Sequence, residues 1–272
     1  MSFLNKTVLI TGASRGIGKA IGLRLAAAGA NIVIASKSVD ENPLLGGTIY
    51  TAAAEIEAAG GKALPVQCDI RFEEQIQNAV NKAVEKFGGI DSLVNNASAI
   101  NLTNSELTEP KRFDLMFDIN VRGTFMVSRA CIPHLKNGTN AHILNLSPPI
   151  NMDKKWFTNH LAYTISKYDM TMIALGLSAE LKKFNIAANT LWPKTTIATA
   201  AVNNLLGGEM LMKMSRTTDI VADAAFYILS RPSAECSGNS FIDEEVLASE
   251  GITNLDKYSV MPGGQLYKDL FI

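Results

Sequence analysis

Tyr163 and Lys167, in the run Tyr163-Thr164-Ile165-Ser166-Lys167, are the residues whose types and spacing most clearly could do chemistry. A separation of four puts a phenol and an ammonium one turn apart on the same face of a helix. A free phenol has a pKa of about 10 and is poorly matched to proton transfer at neutral pH. Bringing it to about 7 takes about 4 kcal/mol, within reach of an adjacent ammonium and a cationic cofactor in a dry pocket. Hydride transfer to a ketone leaves an alkoxide that needs a proton. Tyr163 would therefore be the general acid in reduction and the general base in oxidation, with Lys167 as its activator. A Tyr-x-x-x-Lys pair alone carries little weight, because helix surfaces hold such pairs without function.

A second pattern raises its value. Thr11-Gly12-Ala13-Ser14-Arg15-Gly16-Ile17-Gly18 follows the first apolar β-type run directly and opens a helical segment. Glycines there let the backbone turn tightly and let a pyrophosphate touch N–H groups at the helix start. Chance glycine triplets occur in ordinary turns, but the position after the first strand favours a phosphate cradle, with the spacing Gly-x-x-x-Gly-x-Gly. An Asp or Glu at the end of the second strand would bond a bare ribose and repel a 2′-phosphate. The chain instead reads Ala35-Ser36-Lys37. Arg15, Ser36 and Lys37 offer two cations and a hydroxyl to a phosphate carrying about two negative charges. NADP(H) is favoured over NAD(H) on this chemistry. The alternative is that Arg15 and Lys37 are solvated surface cations and that Asp40 or Glu41 folds back to a ribose.

These sites need a scaffold, and the rest of the chain supplies its pattern. Short β-branched runs alternate with longer stretches of helical period, the signature of βαβ units feeding a buried parallel sheet. Strands are expected at residues 7–10, 31–35, 63–67, 92–94, 142–146, 186–191 and 239–242. Helices are expected at 16–28, 48–59, 73–87, 111–136, 161–184 and 219–230. The fold class is α/β: a doubly wound Rossmann-type parallel sheet of about seven strands with helices on both faces. The chain reads as one domain over 1–272, with a core at about 5–243 and a tail at 244–272. A ligand crevice belongs at the carboxyl ends of the strands where the winding reverses, so function should follow strands one, four, five and six.

The glycine pattern, Asn95-Asn96-Ala97-Ser98, Asn120 and Tyr163-x-x-x-Lys167 together resemble the short-chain dehydrogenase/reductase family, and the likeness spans nearly the whole chain. The resemblance implies that Gly12, Ser14, Arg15, Gly16, Ile17 and Gly18 cradle the cofactor and that Asn96, Ala97 and Ser98 line its adenosine side. It also implies that Asp69 and Ile70 flank the adenine, that Asn120 holds a proton-relay water and that Lys167 grips the nicotinamide ribose. Pro193-Lys194-Thr195 resembles the segment that meets the carboxamide, with Pro193 and Thr195 as contacts. A homo-oligomer paired through the helices at 111–136 and 161–184 is a further implication.

Composition narrows the partners. The chain is 47% hydrophobic and 19% charged with a net charge of −1, which favours neither nucleic acid nor an anionic membrane. A small-molecule alcohol or ketone is the expected partner. Cys68, Cys131 and Cys236 are odd in number without Cys-x-x-Cys spacing, which fits a reducing compartment. Met1 runs into an apolar strand without room for a signal peptide, the last four residues are not a peroxisomal address, and no apolar run reaches the roughly 20 residues of a membrane helix. A cytoplasmic protein without a membrane span is expected. His134, His142 and His160 lack metal-ligand spacing and read as surface residues; no metal is expected. Trp156, Phe157, Trp192, Leu205, Leu206, Met210 and Met212 could wall an apolar substrate pocket, or simply pack as core and loop. Two other functions stay open: a dinucleotide-binding sensor without turnover, and reduction of an enoyl thioester.

One departure stands out. Family members usually end the fifth strand with Ser-Ser, the second serine polarising the substrate oxygen; here the pair is Ser147-Pro148. If strand alternation persists, Ser147 points away and Pro148 holds the place of the missing hydroxyl. If Pro148 and Pro149 bend the backbone by one residue, Ser147 does the usual work.

Overall fold

The protein, described here as a computed structural model, is defined over residues 2–272, apart from the side chains of Leu205 and Leu206. Seven strands form one sheet: β1 (Thr7–Thr11), β2 (Asn31–Ser36), β3 (Lys62–Gln67), β4 (Ser92–Asn95), β5 (His142–Asn145), β6 (Ala187–Trp192) and β7 (Ser240–Ile242). Their order is β3-β2-β1-β4-β5-β6-β7, every pair parallel. The winding therefore reverses between β1 and β4, which opens the crevice where the glycine loop leaves β1. Each strand expected from the sequence is present, shifted by no more than a residue or two at its ends.

The helices are α1 (Gly16–Ala26), α2 (Ile49–Ala58), α3 (Glu73–Phe87), α4 (Pro110–Met116), α5 (Thr124–Leu135), α6 (Lys155–Thr158), α7 (Leu161–Glu180), α8 (Gly208–Lys213), α9 (Asp219–Ser230) and α10 (Asp243–Ser249). The strands are buried on both faces, as their β-branched runs require. Val8, Ile10, Ile32 and Ile34 point to one face, against Ile21, Ile56 and Ile228. Leu9 and Val33 point to the other, against Val80, Cys131 and Leu177. Strand alternation thus divides one hydrophobic sheet between two helical layers.

Three expectations need correction. The helix expected at 111–136 is interrupted by a π-helical turn at Phe117–Gly123, because the Asn120 side chain is drawn out to partners on other elements. The helix expected at 161–184 ends at Glu180, followed by a 3-10 turn and by Asn185 at φ 54°. His142 and His160 are not surface residues. His142 begins β5 inside the sheet with Nε2 3.0 Å from the Arg231 carbonyl, and buried His160 pairs Nδ1 with Thr164 Oγ1 at 2.9 Å. The His142 contact joins residues 89 apart and exists only once the sheet is packed, whereas the His160 contact is local, across the first turn of α7.

The segment after α10 folds back across the sheet's carboxyl edge. Thr196 N–H donates to Tyr267 O, Thr195 and Lys268 form an antiparallel bridge, and Asp269 N–H donates to Lys194 O. A third cluster forms there from Met116, Ala162, Tyr163, Tyr168, Trp192, Ile242 and Phe271.

Candidate active site

The glycine loop is built for a ligand that comes close to backbone. Gly12 has φ +66°, and a Cβ there would lie 3.0 Å from Ala97 Cα. A Cβ on Gly18 would come within 2.4 Å of Asn96 Nδ2. Asn96 explains the tightness: its amide donates to Thr11 O at 2.9 Å and Gly12 O at 3.2 Å, while Thr11 Oγ1 accepts from the Asn96 and Ala97 N–H groups. The first turn of α1 has neither a side-chain cap nor an acidic residue, so its N–H groups and positive dipole end are available to an anion.

A cleft of about 730 Å³ runs from this loop. Its walls include Gly12, Ser14, Arg15, Gly16, Ile17, Ser36, Lys37, Asp69, Ile70, Asn96, Ala97 and Ser98 of the sequence-predicted residues. Gly18, Asn120, Tyr163, Lys167, Pro193 and Thr195 are not on its walls. Asp40 and Glu41 do not line it either.

On the cleft wall Arg15 is held by three hydrogen bonds: Nε donates to Gly46 O at 2.6 Å, and Nη2 to Ser38 Oγ at 2.9 Å and Gly47 O at 3.1 Å. Ser36 Oγ donates to Ser14 Oγ at 3.1 Å, and Lys37 stands exposed on the rim. Ser38 is a site residue that sequence reasoning missed, because only the fold of the 38–47 loop brings it to Arg15. The Asp69 carboxylate is taken up by Arg71 at 2.6 Å, which holds its pKa below the usual range.

The Tyr163–Lys167 pair lies on α7 as the spacing predicts, and both side chains are buried. Lys167 Nζ donates to Leu146 O at 2.6 Å, touches Met170 Sδ at 3.3 Å and sits 5.1 Å from the Trp192 ring centre. Burial pushes its pKa down to about 7, opposed by the charge of Asp269. Burial and then Asp269 push the Tyr163 phenol up, and its hydroxyl has no hydrogen-bond partner among the described residues. Trp192 belongs to the apolar cluster that holds Tyr163, and Trp156 and Phe157 pack against that cluster. Met210 is exposed on α8 and Met212 is half-buried, both outside that cluster; the Leu205 and Leu206 side chains lie outside the described residues.

Asn120 is saturated. Its Nδ2 donates to Ala99 O and Ser166 Oγ, and its Oδ1 accepts from Ala99 N–H and Ser98 O–H. The side chain clamps the 98–99 loop to α7, so a water at Asn120 would have to be held by its main chain. Ser147 Oγ accepts from Thr171 Oγ1 at 2.9 Å, eight residues beyond Tyr163 on α7. That is about 12 Å along the helix axis, so Ser147 faces away from the tyrosine end. Thr195 Oγ1 is buried without a partner among the described residues, within the segment that the family resemblance assigns to a carboxamide. The tight glycine cradle, the free helix start and this orphaned hydroxyl fit a nicotinamide dinucleotide.

A doubly wound sheet with this loop and a nicotinamide-type cleft defines a class, the Rossmann-fold oxidoreductases. Within it the chain belongs to the short-chain dehydrogenase family, whose model matches residues 6–208. It is 60% identical over 266 residues to hydroxysteroid dehydrogenase-like protein 2 of Xenopus tropicalis, covering 98% of this chain and 63% of that protein. The chain thus spans less than two thirds of the length of that relative. Among solved structures it resembles a short chain dehydrogenase from Mycobacterium thermoresistibile, 53% identical with a TM-score of 0.95 over 100% of this chain and 96% of the other. It also resembles 3-ketoacyl-(acyl-carrier-protein) reductase of Brucella melitensis complexed with NADH, at 28% identity and TM-score 0.73 over 89% and 97%.

Proposed function

We propose that the chain interconverts an apolar alcohol and its ketone with NADP(H), using Tyr163 as the proton donor and acceptor. The observation that carries this reading is the buried pair on α7: a phenol free of partners one turn from an ammonium that no carboxylate pairs in ion-bond contact among the described residues. In reduction the Tyr163 hydroxyl gives its proton to the carbonyl oxygen as negative charge develops there. Lys167 favours the phenolate that results. The bound dinucleotide supplies or accepts the hydride. With Ser147 turned to Thr171, Tyr163 carries most of the polarisation of the substrate oxygen, and simple ketones should react slowly. Arg15, Ser38 and Lys37 around the cleft, without a facing unpaired carboxylate from Asp40 or Glu41, support NADP(H) over NAD(H).

The test is NADPH consumption against ketones, diketones and enoyl thioesters. Tyr163→Phe should lose turnover by about 10² or more while NADPH affinity stays within about threefold. A variant retaining more than about a tenth of the parental rate would refute the mechanism. Tight NADPH binding without turnover on any class would favour a dinucleotide sensor.

A further inference from the structure

Tyr163 and Lys167 are shielded by residues of the same chain, and the shield has the features of a plug. Phe271 is 1% exposed, with its ring centre 6.2 Å from Tyr163, 6.0 Å from His160, 5.3 Å from Tyr168, 5.9 Å from Trp192 and 5.6 Å from Trp156. An aromatic side chain therefore fills the space beside the one phenol positioned for proton transfer. The adenosine side of the cleft is open, whereas its walls stop short of Tyr163, Lys167 and Thr195.

The attachment is local and reversible in kind. Four hydrogen bonds hold the strap: Tyr267 N–H to Met214 O at 2.9 Å, Thr196 N–H to Tyr267 O at 3.0 Å, Asp269 N–H to Lys194 O at 3.1 Å, and Trp192 Nε1–H to Leu270 O at 2.9 Å. Two of them use the main chain of Lys194 and Thr196, within or next to Pro193-Lys194-Thr195, the segment that the family resemblance assigns to the carboxamide. Gly263, at φ +77° with open space about its Cβ position, precedes the strap and can swivel it. Phe271 itself holds φ +74°, a conformation that costs an L-residue free energy and persists because the packing around its ring offsets that cost. The strap also brings buried Asp269, whose own pKa burial raises to about 7; its charge adds to the burial that already pushes the Tyr163 pKa up, against the direction the reaction needs.

We propose that residues 266–272 are an intramolecular plug in which Phe271 occupies the substrate's place over Tyr163, and that the enzyme's substrate is a flat apolar carbonyl compound that displaces this ring from its aromatic cage. This rests on the oxidoreductase reading of the same site. A substrate competing with an attached side chain meets a protein whose competent population is reduced, so its apparent KM is raised by that fraction.

The experiment is hydrogen exchange of residues 266–272 in the full chain, alone, with NADPH, and with NADPH and 1-tetralone, alongside 1-tetralone kinetics of Phe271→Ala. Exchange at the Tyr267 and Asp269 amides should rise about tenfold or more with both ligands present, and Phe271→Ala should lower the KM about tenfold with kcat within about twofold. Unchanged exchange overturns the plug whether or not turnover is seen, and so does a Phe271→Ala variant that folds with unaltered KM. Should Phe271→Ala fail to fold, exchange in the parent chain decides. Release of the strap by ligands without any turnover would leave the plug standing and refute the redox assignment instead.

Discussion

Lys37 leaves the end of β2 with its ammonium on the rim of the cleft, one residue before the Ser38 hydroxyl that Arg15 holds. A carboxylate at that position would repel a 2′-phosphate and accept from a ribose, so Lys37→Asp should move the NADPH-to-NADH preference at least about tenfold toward NADH. Dissociation constants for both cofactors, by fluorescence titration, check it. His142 offers a test of stability instead. Burial holds its pKa down at about 4 against an ordinary 6.5, so the unfolded chain takes up this proton first as pH falls. Its contribution is fully present above pH 6.5 and is lost as pH drops toward 4, by about 3 kcal/mol. Urea midpoints should fall across that window, and His142→Asn should flatten the slope. Tyr163, Lys167 and the glycines are readable from sequence because spacing alone specifies their local geometry. The burial of His142 and the Arg15–Ser38 contact are not, because nothing within a few residues of them encodes either.

Among the elements, the turn from β1 to α1 shows how a motif depends on a neighbour. Asn96, at the end of β4, ties down Thr11 and Gly12 with its amide, and Gly18 leaves it room. A methyl group at Gly18 would meet that amide at 2.4 Å, with backbone close behind, so Gly18→Ala should strain the loop by about 1–3 kcal/mol. The expected readouts are a lowered melting temperature and NADPH affinity weakened about tenfold, the two moving together. Asn120 plays a similar part inside the π-helical turn, joining the 98–99 loop to Ser166 on α7. Helical periodicity over 111–136 is continuous in the sequence and gives no sign of that turn, because the turn is stabilised by side-chain partners on other elements.

At the scale of the molecule, Phe113 on α4, Phe125 on α5, and Ile165, Met172 and Leu175 on α7 are exposed apolar side chains on the helices that the family resemblance assigns to pairing. Association through them is expected, giving a light-scattering mass at least twice that of the chain at micromolar concentration, and Leu175→Glu should shift the species toward monomer. A monomeric parent would count against that arrangement. The sequence by itself determined the alternation of strands and helices, the doubly wound class, the tight glycine turn after the first strand and the placing of Tyr163 and Lys167 one turn apart on one helix. Each of these follows from periodicity within one element or from a strand-turn-helix junction a few residues long. The tertiary structure alone decided that Ser147 turns to Thr171, that Asn120 spends its amide on a loop and a helix, and that Phe271 lies beside Tyr163. The physical reason is that such contacts join residues from distant parts of the chain: which side chain fills a gap depends on shape and on unpaired polar groups that exist only once the sheet has assembled.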